Sequence, residues 1–152
     1  MTRDEQYMQQ ALEQAQIAAS LGEIPVGAVI VHNDEVIAAA YNTRETEKNA
    51  VNHAELVAID KACRALGGWR LVGCELFVTL EPCPMCAGAV INSRLERVVF
   101  GTADPKAGSA GSVCDLFDMP YNHKPEVISG VLAQECSQIL VAFFRNLRKR
   151  QQ

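Results

Sequence analysis

The chain has 152 residues, of which 49% are hydrophobic and 21% charged, and its net charge is −4. A length of this kind fits one domain, residues 1–152, burying roughly 68–70% of the surface that the unfolded chain would expose. The composition excludes a disordered chain, and the acidic balance argues against indiscriminate nucleic-acid binding, which needs a basic surface. A local basic patch is still available: after Glu135 no acidic residue occurs, whereas Arg145, Arg148, Lys149 and Arg150 follow.

Met1 to Gln6 contain no apolar core of a secretory signal, and no apolar run is long enough to cross a bilayer. The six cysteines then read as reduced thiols or metal ligands rather than a disulfide frame. A cytoplasmic location without a membrane partner is expected. From Asp4 to about Leu21, Met8, Ala11, Leu12, Ala15, Ala18 and Ala19 recur at helical spacing, and Gly22 ends the helix. Pro25–Val31 and Val36–Tyr41 read as a strand pair joined by a turn at Asn33-Asp34. Asn42 to Asn52 is polar and aperiodic, a loop. A helix is predicted from His53 to Leu66, with Leu56, Ile59, Cys63 and Leu66 on its apolar face, stopping at Gly67-Gly68.

Glu75–Leu80 reads as a third strand, a helix runs from Cys83 to about Ser93, and Arg97–Gly101 is a fourth strand. Thr102–Ser112 is a loop of small residues, of the kind that often lines a site. A short helical turn is expected within Val113–Phe117, a fifth strand at Glu126–Ser129, and a final helix from Leu132 to Arg148. Strands alternating with helices predict a layered α/β fold, the first two strands antiparallel and the later ones parallel, with helices on both faces of the sheet.

Chemistry concentrates at two predicted helix starts. Cys83 and Cys86 stand three apart, so one helix face can present both sulfurs to one metal ion. The positive end of the helix favours their thiolate forms. A Cys-x-x-Cys pair alone also fits a structural zinc half-site or a redox couple. Upstream, His53-Ala54-Glu55 opens the other helix. Catalytic zinc sites usually have three protein ligands and one open position for water, and His53, Cys83 and Cys86 make three. In a regular helix His53 and Glu55 would point about 200° apart, given ~3.6 residues per turn. They converge only if His53 lies in the cap. Two thiolate ligands oppose acidification of a bound water, so a carboxylate beside it, Glu55, becomes useful as a base.

The joint pattern His-x-Glu with Pro-Cys-x-x-Cys resembles the signature of zinc nucleobase deaminases. The chain also carries Glu23-Ile24-Pro25-Val26-Gly27-Ala28, Asn42 with Arg44-Glu45, Thr79 to Ala89, Val98-Val99-Phe100-Gly101, Asp104-Pro105-Lys106, Asn122-His123 and Phe143-Phe144-Arg145. Through these segments it resembles the bacterial tRNA-specific adenosine deaminases of the cytidine/deoxycytidylate deaminase superfamily, over nearly its whole length. The resemblance implies a three-layer α/β/α cytidine-deaminase-like fold with a five-stranded mixed sheet, one zinc ion per chain and a homodimer. The implied reaction is hydrolytic deamination of the wobble adenosine in a tRNA anticodon loop to inosine, on an arginine tRNA, by zinc-activated water attacking C6. His53, Cys83 and Cys86 would bind zinc and Glu55 would shuttle the proton. Asn42 would hydrogen-bond the flipped base, and Asp104 would meet the ribose. Asn52 departs from the small residues expected before His53.

Further substrate contacts are assigned to Lys106, His123, Phe144, Arg148 and Lys149. Several of the assigned residues also have a plainer reading, His123 as a core or loop histidine. Asn42 and Asp104 are ordinary turn residues. Phe143 and Phe144 are adjacent, so one belongs to the core while the other suits either a base stack or a dimer contact. The basic tail suits a solvated helix end as well as a phosphate contact. Cys63, Cys74, Cys114 and Cys136 read as small buried hydrophobes.

Overall fold

A computed structural model describes residues 1–151; of the expected domain, only Gln152 lies outside them. Helix α1, Arg3–Ser20, starts at a capping box in which Thr2 Oγ1 accepts from the Glu5 amide at 3.1 Å and Glu5 Oε1 from the Thr2 amide at 2.8 Å. Strands β1, Gly27–His32, and β2, Glu35–Tyr41, form a hairpin. Its two turn residues, Asn33 and Asp34, both have positive φ, 51° and 61°, the geometry that matches strand twist. Then follow α2 (Ala54–Leu66), β3 (Cys74–Leu80), α3 (Pro84–Ser93) and β4 (Arg97–Thr102). A 3-10 turn at Leu116–Asp118, β5 (Glu126–Ile128) and α4 (Ala133–Arg150) complete the chain.

The sheet order is β2-β1-β3-β4-β5. Strand β1 is antiparallel to both its neighbours, and β3, β4 and β5 run parallel. Side chains alternate across it except at a bulge in β2, where the adjacent Ile37 and Ala38 both face one core. Ala28 and Ile30, Leu76 and Val78, and Val98 and Phe100 enter the core under α2 and α3. Val29 and Val31, Phe77, and Val99 enter the core under α1 and α4. This produces the near-continuous apolar runs of a sheet covered on both faces. At Gly27 a Cβ would overlap the Ala11 carbonyl and the Ala15 amide, so the missing side chain lets α1 lie directly on β1.

The buried face of α2 is not the expected one. Ala54, Glu55, Ala58 and Ala62 are buried, whereas Ile59 and Cys63 only border the core and Leu66 is exposed. The small alanines allow the helix to approach the sheet closely, and the larger apolar side chains are displaced to the flank.

Behind the sheet's parallel half, at the strand starts, Arg97 donates to Asp4 at 2.6 Å and to Glu75 at 2.9 Å, while Arg3 donates to Glu75 at 2.6 Å and to Asp34 at 3.1 Å. This network fastens the first turn of α1 to β3 and β4. The opposite ends of β3 and β4 are left for the loops that carry the chemistry, where open α/β sheets place their ligands.

Candidate active site

Helices α2 and α3 both begin at the carboxyl end of β3. His53 is the N-cap of α2, with extended φ −73° and ψ 152°, and Cys83 is the N-cap of α3, with φ −74° and ψ 174°. Neither side chain caps its own helix, so both are free to turn toward each other. Pro84 follows at the first helical position, where its missing N–H is harmless. His53 Nδ1 lies 3.5 Å from Cys83 Sγ and 3.6 Å from Cys86 Sγ. All three donor atoms fall within 4.8 Å of one another. The extended cap also resolves the angular problem of His-x-Glu, because His53 is outside the regular helix and Glu55 is inside it.

The charges show what this cluster suits. The hydrogen bond from the Cys86 thiol pushes the Cys83 thiol down to about 4, and His53 adds to the effect. Cys86 moves far up, first because it gives that hydrogen bond and then because it is buried near Glu55. His53 is raised by its bond to Cys83. Two sulfurs this close cannot both ionise on their own, and a divalent cation is the group that would allow it. A nitrogen and two sulfurs form the donor chemistry of zinc. Among the described residues no fourth His, Cys, Asp or Glu joins the group. Glu55 is buried, and burial pushes its carboxyl up to about 7. A cation on the neighbouring donors would oppose that rise.

The cluster opens into a cavity of about 220 Å³ whose lining includes Val26, Asn42, His53, Glu55, Cys83 and Asp104. Asn42 is buried and its amide is partly used: Nδ2 donates to the Ile24 carbonyl at 3.1 Å, and Oδ1 accepts from the Arg44 amide at 3.1 Å. One N–H and one lone pair remain for a ligand. Asp104 Oδ1 accepts from the Lys106 amide at 3.0 Å, the turn chemistry expected of it, while the residue still borders the cavity.

The other candidates separate. Lys106, Phe144 and Arg148 line a second groove of about 430 Å³, formed by the strand-end segment Thr102-Ala103 and one side of α4. Asp104 and Lys106 thus look into neighbouring depressions from one turn. Lys149 is not among the groove's lining residues. His123 is not among the lining residues of either depression; its Nε2 is 2.7 Å from the Leu95 carbonyl, near the start of β4. Neither phenylalanine of α4 enters the core. Phe144 is exposed, and the two rings pack edge to face with centroids 5.4 Å apart, because the last turns of α4 run past the sheet. Cys74 and Cys136 are buried as expected, whereas Cys63 is only half-buried and Cys114 is exposed.

Two residues that matter here carried no assigned role. Glu23 and Glu81 are both buried and hold the loops that form the cavity walls. The signal available was a carboxylate set against apolar strand residues on either side of Pro25-Val26 and Thr79-Leu80.

The comparisons with known proteins agree with this geometry. The profile of a family described as MafB19-like deaminase matches residues 2–148. The tRNA-specific adenosine deaminase of Bacillus subtilis (strain 168) is 56% identical over 99% of this chain and 94% of its own length. That of Haemophilus influenzae is 46% identical over 96% of this chain and 86% of its own. A solved structure from work on A-to-I editing by tRNA:A34 deaminases superposes with a TM-score of 0.86 and 41% identity, covering 89% of this chain and 99% of that one. The guanine deaminase of Bacillus subtilis is more distant, with a TM-score of 0.64 and 33% identity over 93% of both chains. The chain belongs to the MafB19-like deaminase family, within the tRNA-specific adenosine deaminases.

Proposed function

We propose that this protein converts the wobble adenosine of a tRNA anticodon loop to inosine by hydrolysis, as one zinc-dependent domain. The observation that carries the reading is the meeting of His53, Cys83 and Cys86 within 4.8 Å at the floor of a cavity that also holds Glu55. A cavity of about 220 Å³ is smaller than those of drug-sized ligands and suits one base. The base must therefore leave its stack, which is least costly in a single-stranded loop.

His53, Cys83 and Cys86 would hold the zinc ion, one per chain. Bound there, zinc supplies a Lewis acid that brings the pKa of a water toward ~7. Glu55 takes a proton from the attacking water and gives it to N1 of adenine as the water oxygen bonds to C6. Glu55 then passes the second proton to the amine, the C6–N bond breaks, and ammonia leaves with inosine in the RNA. The free N–H and lone pair of Asn42 can orient the base edge, and Asp104, on the cavity wall, would meet the ribose. The separate groove lined by Lys106, Phe144 and Arg148 offers cations for phosphates and a ring for a flanking base.

Two further features belong to this reading. The half-exposed apolar flank of α2, with Ile59, Cys63 and Leu66, suits burial against a second copy of the chain as a homodimer. Among the described residues no helix is long and apolar enough to cross a membrane, and a tRNA substrate puts the work in the cytoplasm. The test is incubation of zinc-loaded protein with the anticodon stem-loop of an arginine tRNA, followed by mass spectrometry of its nucleosides. Inosine at the wobble position is expected. Deamination of free guanine or cytidine with the stem-loop untouched would replace the RNA reading with a free-base one.

A further inference from the structure

Two buried carboxylates lie just outside the reacting group and take no part in proton transfer. Glu23 sits between α1 and β1. Its Oε1 accepts from the Glu45 amide at 3.1 Å, and its Oε2 from the Thr46 amide and hydroxyl, each at 2.5 Å. Glu81 sits between β3 and Cys83. Its Oε1 accepts from the Asp104 amide at 3.0 Å and from the Ser112 hydroxyl. Its Oε2 accepts from the amides of Ala110 and Ser112, at 3.0 and 3.1 Å. Neither carboxylate is in an ion pair with a described residue.

The donors to each carboxylate come from one loop only. The loop held by Glu23 leads from Asn42 to His53. The loop held by Glu81 starts at Asp104 and returns past Ser112. A buried ionised carboxylate normally needs a cation or a full set of donors. Here each loop supplies the whole set, so lifting either loop would leave a bare buried charge. At Gly108 a Cβ would overlap the Glu81 carboxyl group; the absence of a side chain lets the second loop close onto it.

We infer that Glu23 and Glu81 are positioning residues, each fixing one wall of the cavity: Glu23 the wall that carries Asn42, and Glu81 the wall that carries Asp104. The inference rests on the deaminase reading for its effect on RNA, but the fastening itself does not. The carboxylate is required because each oxygen accepts at least one backbone N–H. A glutamine in either orientation would turn its NH2 group against an amide donor. An aspartate keeps both acceptors one methylene short.

Hydrogen exchange of zinc-loaded protein without RNA reads the fastening directly. E81Q should speed exchange in 104–112 by about tenfold or more, the worth of a charge-assisted hydrogen bond, and leave 45–52 protected. E23Q should do the reverse. Each variant should keep its zinc and the protection of β1 and β3, and kcat/KM on the stem-loop should fall by about 100-fold, the scale of an ångström's misplacement. E23D and E81D should recover part of that loss. If a glutamine variant does not fold, Thr46→Val and Ser112→Ala remove one donor from the loop side and should move the same readouts in the same direction. Unchanged exchange in the facing loop would overturn the inference, as would a loosened loop with unchanged kcat/KM, or a uniform loss of protection across the fold. If the wild type leaves the stem-loop untouched, it is the RNA reading that fails, while the exchange pattern still decides the fastening.

Discussion

His53 Nδ1 and Cys83 Sγ stand 3.5 Å apart although thirty positions separate them in the chain. Each is the residue immediately before a helix, in extended conformation, and the two helices start beside each other at the end of β3. The contact depends on both caps at once. Replacing Cys86 by serine keeps the volume and removes a soft ligand. Zinc content measured by elemental analysis should fall well below one per chain, deamination should fall with it, and chelator should no longer shift the melting temperature. A Cys86→Ser protein that retains wild-type zinc would exclude this triad as the metal centre.

Glu55 differs from the three donors because it is buried beside them without joining them. Glu55→Gln preserves shape and removes the proton carrier. Turnover should drop by about 10²–10⁴-fold, the usual contribution of general acid–base catalysis, with zinc retained and KM for the stem-loop changed little. The melting temperature should not fall, because a neutral amide is easier to bury than a carboxylate. Loss of zinc in this variant would instead make Glu55 a ligand.

The layered fold and the meeting of His53, Cys83 and Cys86 were legible because their signals are local. Period-two apolar runs, Gly67-Gly68 after α2, and the Cys83–Cys86 spacing each depend on a few adjacent residues. The face of α2 was misjudged because hydrophobic size was read as burial. In contact with the sheet, Ala54, Ala58 and Ala62 allow closer approach than Leu56 or Leu66 could. A core place for one of Phe143 and Phe144 depends on where the sheet ends, which no local pattern shows, and neither joins a core cluster. Glu23 and Glu81 were silent for a different reason: apart from the hydroxyls of Thr46 and Ser112, their partners are backbone amides of Glu45, Thr46, Asp104, Ala110 and Ser112, which any residue type but proline would supply. His123 also has a backbone partner, the carbonyl of Leu95, which no sequence pattern marks.

The groove beside the cavity separates two adjacent basic residues. Arg148 lines it and Lys149 does not. Stem-loop binding measured across a salt series should weaken in Arg148→Ala, and the slope of log K against log salt should fall by about 0.7–0.9, one phosphate contact. Lys149→Ala should change the slope much less. Phe144→Ala should weaken binding by about 1–3 kcal/mol with no change in slope, as expected when a base stack is lost. Equal effects from Arg148 and Lys149 would make the tail a diffuse basic surface rather than a groove.

The network at the far end of the sheet sets a limit on acid stability. The Arg97 guanidinium holds the Asp4 carboxyl below its ordinary range, and Arg3, with Arg97, does the same for Glu75. The side chains of Asp4, Glu75 and Arg97 are 22%, 19% and 20% exposed, so solvent screens them only in part. For a carboxylate with a depressed folded-state pKa, the added stability is complete above the ordinary value of about 4 and disappears as pH falls through the depressed value. Arg97→Met should therefore cost about 2 kcal/mol at neutral pH, within the range for charge-assisted hydrogen bonds. In a chain of this size that is roughly 4–8 °C of melting temperature. The gap between wild type and variant should hold from pH 7 to about 5 and narrow below about 4, where Asp4 and Glu75 take up protons in both. Because the network is on the opposite side of the sheet from Glu55, kcat/KM at 25 °C should be unchanged. A gap that persisted undiminished into strong acid would show that Arg97 acts through its packed methylenes and not through its charge.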